Sequence, residues 1–404
     1  MTTKAATGES KEKNSFKAGV EAARTALTKL GVKKCDFVLL FATVEHNQEE
    51  LLKGVRSVTG DTHLSGCSGE GIITQSGPAG EGMFGAAGLI KGESAAAVMV
   101  FSSDELKFFN CIGQGLKGNS QKTGEEIARK VNESRPVNPL VLLLFPDGLT
   151  GNAKRFFSGI DALLEKPLIY CGGAAGENMT AVATYQYHND KVLTDSASCV
   201  LISGRAELCI GVNHGCSPIG LEKTITKADA NRIYEIDNKP AWEFFKQYVT
   251  DDIKELTPEV ATFLALGETL HDGPASDHDR YSIRIPLGQN PDGSIFIPTE
   301  MPAGTRVQMT RRDPEKITKG AKNMAETIKA KIGNKKPIAV LHFDCAGRGK
   351  RLFGEDAKKM GIDIIQDVFG KDAPWLGFYG YGEIAPIGKK NYFHNYTVAL
   401  CVIY

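Results

Sequence analysis

Apolar residues in this chain come in two spacings that alternate. Three runs of strand length, DFVLLFAT from Asp36, PLVLLLFPDG from Pro139 and PIAVLHFDCAGRG from Pro337, are each followed by a polar loop and a stretch of helical apolar spacing. After the first run, Leu51, Val55 and Val58 mark one helix face that ends at Gly60. Asn47, with Glu50 three residues on, gives that helix a capping-box-like start. Phe156, Ile160 and Leu163 mark the second helix; Ala357, Met360, Ile364 and Val368 mark the third, with Gly361 inside it. Each unit closes on a glycine-rich segment carrying Gly-Glu: HLSGCSGEGI with Gly69-Glu70, LIYCGGAAGEN with Gly176-Glu177, and GFYGYGEIAP with Gly382-Glu383. A divergent strand-helix-strand unit therefore occurs three times.

Two further pairs of apolar stretches interrupt the series. AAAVMVF and LKFFNCIGQG are joined by residues 102–105, and SCVLISG and ELCIGVNHG by Arg205-Ala206, so both pairs are expected to be antiparallel hairpins. A purely parallel sheet then fits poorly. The expected fold class is mixed α/β, with helix-covered mixed sheets, antiparallel hairpins and two domains. Residues 1–32 read as a disordered tail and a leading helix, 33–230 as a first domain holding two units, and 231–404 as a second. A helix is expected after Asp313-Pro314, with Ile317, Ala321, Met324 and Ile328 on its inner side.

Charge and composition narrow the classes. With 48 basic and 48 acidic side chains the formal charge is zero, which argues against a nucleic-acid or anionic-membrane binder that works by bulk electrostatics. No apolar run reaches the ~18 residues of a membrane-spanning helix. The polar N-terminus lacks the apolar core of a signal peptide, and nine scattered cysteines without a CxxC pair fit a reducing compartment, so the protein is expected to be cytoplasmic. Glycine fills 44 of 404 positions, above the usual ~7%.

The closing motifs, NHGCSPIG at 213, IYEIDNKPAWEFF at 233, DGSIFIPTEMPAGTRVQM, FDCAGRG at 343 and GFYGYGEIAP at 377 together resemble the FIST family, whose members carry an N-terminal and a C-terminal FIST domain. The likeness runs from about residue 33 to the C-terminus. It implies an intracellular sensory module that binds a small ligand, an amino acid or related metabolite, and passes a signal on. Relatives carry attached output domains; this chain shows none, so a separate signalling or output protein is the expected partner. One branch is similar to a haem-based nitric-oxide sensor, and another is joined to an F-box.

Candidate chemistry centres on the glycine-rich corners. Glycine lets a ligand approach backbone N–H groups, and a neighbouring carboxylate accepts from a bound amine. Cys67, Ser68, Gly69, Glu70, Gly176, Glu177, Tyr381, Gly382 and Glu383 are therefore the expected ligand-binding set if the three corners converge on one cleft. The alternative is that the glycines serve close packing and the acids cap turns. Arg348, beside Cys345, joins the set as a fork for a carboxylate; its charge would also lower the Cys345 thiol. No catalytic residue is assigned; an enzyme on this cleft would use Cys345 or Cys67, but His342 falls on the opposite strand face from Cys345. No cofactor is expected, although the haem branch would require a ligand such as His214 or His46. The loop at 271–280 collects His271, Asp272, Asp277, His278 and Asp279, residue types a divalent metal uses, but its composition is also that of a solvated loop, and no metal is assigned.

Overall fold

The structure, a computed structural model, describes residues 3–85, 88–90, 92–270 and 280–404; the histidine- and aspartate-rich stretch 271–279 lies outside them. The three sequence units build three six-stranded sheets on one plan. In the middle of each, the apolar strand pairs in parallel with its glycine-rich closing strand. These pairs are Phe37–Thr43 with Leu64–Gly69, Pro139–Pro146 with Tyr170–Gly173, and Ala339–Cys345 with Trp375–Gly380. A parallel pair needs a crossover, and the helical segment between the strands supplies it. In the first two units this is a single helix, Gln48–Thr59 and Ala153–Leu163. Asn47 caps the former, its side chain accepting from the Glu50 N–H at 3.0 Å. In the third the crossover is broken into Lys350–Phe353, a π-helical turn at Lys358–Asp363, and Ile364–Phe369. The wider turn shifts the face that a single helix through Gly361 would have kept.

On one side of each parallel pair stands an antiparallel strand and then an edge strand. These are Ala96–Ser102 with Lys4–Ser10 in the first sheet, Ser196–Gly204 with Leu106–Gln114 in the second, and Val398–Ile403 with Leu208–Asn213 in the third. On the other side stands an antiparallel hairpin that belongs to a different unit. Residues 71–79, following the first Gly-Glu, extend the third sheet; 186–193, from the second unit, extend the first; and 383–394, from the third unit, extend the second. The exchange is cyclic.

Two expectations are corrected here. Ala96–Ser102 and Leu106–Gln114 do not pair with each other, nor do Ser196–Gly204 and Leu208–Asn213; each short link carries the chain from one sheet to the next. A brief connection allows a hairpin but does not enforce one, and here each second strand finds a better partner as a neighbouring sheet's edge. The N-terminal segment is likewise ordered from Lys4. Its strand Lys4–Ser10 pairs with Ala96–Ser102, and Gly8 lies so close to the helix Ser15–Leu30 that a Cβ would sit 2.1 Å from the Ala22 carbonyl. Small residues allow that approach while giving no apolar signal.

Strand alternation fixes the layers. In the central strands Leu39 and Phe41, Leu143 and Phe145, Leu341 and Phe343 point into one shared core, while Val38, Leu40, Leu142, Leu144 and Val340 point outward under helices. Phe41, Phe145 and Phe343 hold equivalent positions and meet as a triangle, with ring centroids 5.2, 6.1 and 6.5 Å apart. Outside, two helical segments cover each sheet. The glycine excess also has an equivalent position in all three units. Gly66, Gly172 and Gly377 stand opposite Leu40, Leu144 and His342, and a Cβ would meet those carbonyls at 1.8, 2.1 and 1.8 Å.

Between the edge strand Leu208–Asn213 and the helix Pro314–Ile332 the chain makes a fourth sheet with its own core around Trp242, Phe244 and Phe245. Residue 230, where the two domains were expected to divide, lies at the turn between its antiparallel strands Ser217–Asp229 and Arg232–Ile236.

Candidate functional site

The fourth sheet roofs one corner of the three-sheet assembly, above the carboxyl ends of the parallel pairs of the second and third sheets. A cavity of about 1090 Å³ lies beneath it. The assembly contributes Pro146–Ala153, Ala174, Glu177, Cys345–Gly347, Gly380, Tyr381, Phe393 and Tyr396; the roof contributes Leu256, Ala261–Phe263, Ile285–Leu287 and Pro298, followed by Arg312. Ligand clefts outside strand carboxyl ends are the common arrangement where parallel strands carry helices. The walls are mostly apolar, with a few polar groups on the floor.

The closing motifs do meet, but they bond chiefly to one another. The Gly176 N–H donates to Ser68 O at 3.0 Å, the Glu70 N–H to Tyr379 O at 2.9 Å and the Ala174 N–H to Gly382 O at 2.8 Å. Ser68 Oγ donates to Gly176 O at 2.8 Å. Of the expected set, Glu177, Cys345 and Tyr381 face the cavity; Cys67, Ser68, Gly69, Glu70, Gly176, Arg348, Gly382 and Glu383 do not line it.

Glu177 is held by its own loop. Oε2 accepts from the Thr180 N–H and Oγ at 2.8 and 2.5 Å, and Oε1 from the Ala181 N–H at 3.1 Å and the Tyr381 hydroxyl at 2.6 Å. Burial pushes this carboxyl up, but the donated hydrogen bonds outweigh it and keep it below the usual range. Glu70 pairs with Arg351 at 2.6 Å; burial outweighs that partner, and the carboxyl is pushed up to about 7. Glu81, accepting from the Lys350 N–H at 3.0 Å, is pushed up to about 8, also by burial. Glu383 accepts from the Thr397 N–H at 3.1 Å and is raised well above the carboxylate range by burial and then by Asp344.

The expected fork at Arg348 does not reach the cavity: the side chain is buried away from it, Nε donates to Asp344 Oδ1 at 2.6 Å, and neither Nη has a partner. Nor does a positive field activate Cys345. Burial, and then the neighbouring Glu383, raise its thiol; Cys67, inside the shared core, is raised by burial alone. Both are therefore thiols at neutral pH, the opposite of the reactive form. The residues also do not suit haem in this cavity. Among the described residues its lining holds no histidine, and His46 and His214 lie elsewhere, the latter accepting the Cys216 N–H at 2.9 Å.

Sequence reasoning missed Arg312, Arg351 and the apolar roof. Arg351 stands three residues beyond Arg348, in the short helix Lys350–Phe353, and the strand-end position of Arg312 gave no signal. The main clue was Asp147 in the PDG corner, matching Cys345 in the repeat. Its Oδ1 accepts from the Leu149 and Thr150 N–H groups at 2.8 and 3.1 Å and shapes the cavity rim.

Comparison with known proteins gives two adjoining family matches, to the FIST N domain over residues 36–239 and the FIST C domain over residues 241–386. An uncharacterized protein of Mycobacterium tuberculosis (strain ATCC 25618 / H37Rv) is 25% identical over 390 residues, covering 96% of each chain. An uncharacterized protein of Mycobacterium bovis (strain ATCC BAA-935 / AF2122/97) is 28% identical over 233 residues, 57% of this chain and 59% of that relative. Among solved structures, a chorismatase crystal structure aligns over 92% of this chain and 93% of its own, at 10% identity and a TM-score of 0.31.

Proposed function

The chain belongs to the FIST family, whose domains are associated with signal transduction and small-ligand sensing, and on that footing we propose that it is an intracellular sensor holding a small metabolite in the roofed cavity. The observation that carries this reading is the cavity's position. It lies between the three-sheet assembly and a fourth sheet joined to it covalently only near residues 214–216 and 312–313, so a ligand touching both sides biases their arrangement. Its volume and apolar lining with a few polar groups are those of a metabolite site. Nine free, buried cysteines support a reducing environment, and a separate output protein would read the bound state.

A thermal-shift screen of the full chain against amino acids, their deaminated and acylated relatives, and other small metabolites tests the reading. Ligand at a hundred times its Kd stabilises by about 2.7 kcal/mol, a shift of a few degrees. The expected result is such a shift for at least one compound, reduced in Leu287→Gln at the cavity mouth. No shift across the panel, or one indifferent to Leu287, overturns it.

A further inference from the structure

Among the described residues three arginines are almost wholly buried, and their charges are handled differently. Arg284 pairs with Glu268 at 2.6 Å and Arg348 with Asp344 at 2.6 Å. Arg312, on the cavity wall, has no carboxylate within 4 Å among the described residues. Its Nη1 donates to Thr262 O at 2.7 Å, its Nη2 to Gly347 O at 2.6 Å, and its guanidinium stacks on the Tyr396 ring at 3.6 Å, while Nε has no partner. Carbonyls and a ring orient a guanidinium but do not neutralise it, and a buried charge without a counter-charge is costly. The missing anion has a place to bind, because the cavity is the open space beside this residue.

Among the described residues, the two acids lining the cavity are already bonded to the protein's own donors. All four acceptor directions of Glu177 are taken by Thr180, Ala181 and Tyr381. Asp147 accepts three backbone N–H groups, the third from Asp195 at 2.9 Å. A ligand ammonium would therefore find both carboxylates largely engaged, with a single acceptor direction of Asp147 left. At the mouth, Leu149, Met179, Phe263 and Leu287 are large apolar side chains left exposed, Leu287 at 57%. They call for an apolar body that extends from the anionic end. A volume of about 1090 Å³ leaves room for a body well beyond amino-acid size.

We infer that the cavity takes an amphipathic carboxylate, its anionic end on Arg312 and a large apolar body under the fourth sheet, in preference to a zwitterionic amino acid. This rests on the sensor reading and narrows its ligand class. The test titrates the full chain with 11-(dansylamino)undecanoic acid and with its methyl ester, following dansyl emission. The acid is expected to bind about tenfold tighter or more, as a charge-assisted bond replaces a neutral one. Arg312→Gln removes the difference, while Leu287→Gln weakens both ligands. Should Arg312→Gln fail to fold by circular dichroism, competition on the native chain decides: undecanoic acid displaces the probe and undecylamine does not. Equal binding of acid and ester, or displacement by the amine as well, overturns the anionic preference and leaves the cavity reading intact. An acid preference unchanged in folded Arg312→Gln overturns Arg312 as its source. Binding of neither probe overturns the amphipathic ligand class, and the metabolite screen then decides the sensor reading separately.

Discussion

At the scale of single residues, the corner beside the cavity stores acids in water-poor surroundings, and the signs of their shifts make a testable statement. Glu81, pushed up to about 8, binds a proton in the folded chain at pH values where the unfolded chain has released it. Its favourable contribution is complete below the unfolded value of about 4.3 and is lost as pH rises through 8. Glu70, pushed up to about 7, and Glu383, raised further, act in the same direction. His46, His188 and His394 are lowered by burial and work oppositely, adding stability as pH rises towards 6.5, beyond which they add no more. The melting temperature is therefore expected to fall between pH 6.5 and 8.5, and Glu81→Gln, which keeps an acceptor for Lys350, to flatten that fall. A profile that Glu81→Gln leaves unchanged refutes the assignment. The sequence announced only part of this. Glu177 and Glu383 stood out beside glycines, but which acid has four donors and which has one depends on how the following loop folds back, and for Glu177 also on Tyr381 from another unit. The wrong expectation at Cys345 came from counting only Arg348: its Nε pairs with the adjacent Asp344, while burial and then Glu383 raise the thiol.

At the scale of elements, the glycine opposite each central strand does the same service three times. Gly172→Ala would place a methyl group 2.1 Å from the Leu144 carbonyl, with backbone on both sides and no flexible side chain to yield. A cost of about 1 to 3 kcal/mol is expected, as for other overpacked sites, readable as a lower urea midpoint at unchanged slope. Gly118→Ala, with open space around it, is the control and should fall within about 0.5 kcal/mol of the native chain. The central strands and first two helices were legible because buried strands and covering helices impose apolar periods on the sequence. The pairing of Leu106–Gln114 and Leu208–Asn213 was not, because an edge strand carries the same pattern whichever sheet it joins. Lys4–Ser10 was invisible for a further reason: contact with a helix at backbone distance selects alanine and glycine, which carry little hydrophobic signal.

At the scale of the whole molecule, the family division near residue 240 does not mark a line along which the chain can be cut. The second sheet needs residues 383–394 and the third needs 71–79, so each half holds strands the other requires. Expressed alone, 1–239 and 241–404 are expected to give no cooperative melting by circular dichroism, and to regain it only when produced together. Independent cooperative melting of either half would show that the exchanged strand pairs are dispensable.

That interlocking has a mechanical corollary. No unit of the trefoil can swing aside without dragging a strand pair out of a neighbour, so it behaves as an anvil. The sheet over one corner is tied to it by two short stretches of chain and by a small set of contacts, among them Ser282 and Arg284 on the Phe393 carbonyl and Lys154 with Glu268. On the sensor reading proposed above, a ligand that alters those few contacts changes how the sheet sits on the anvil.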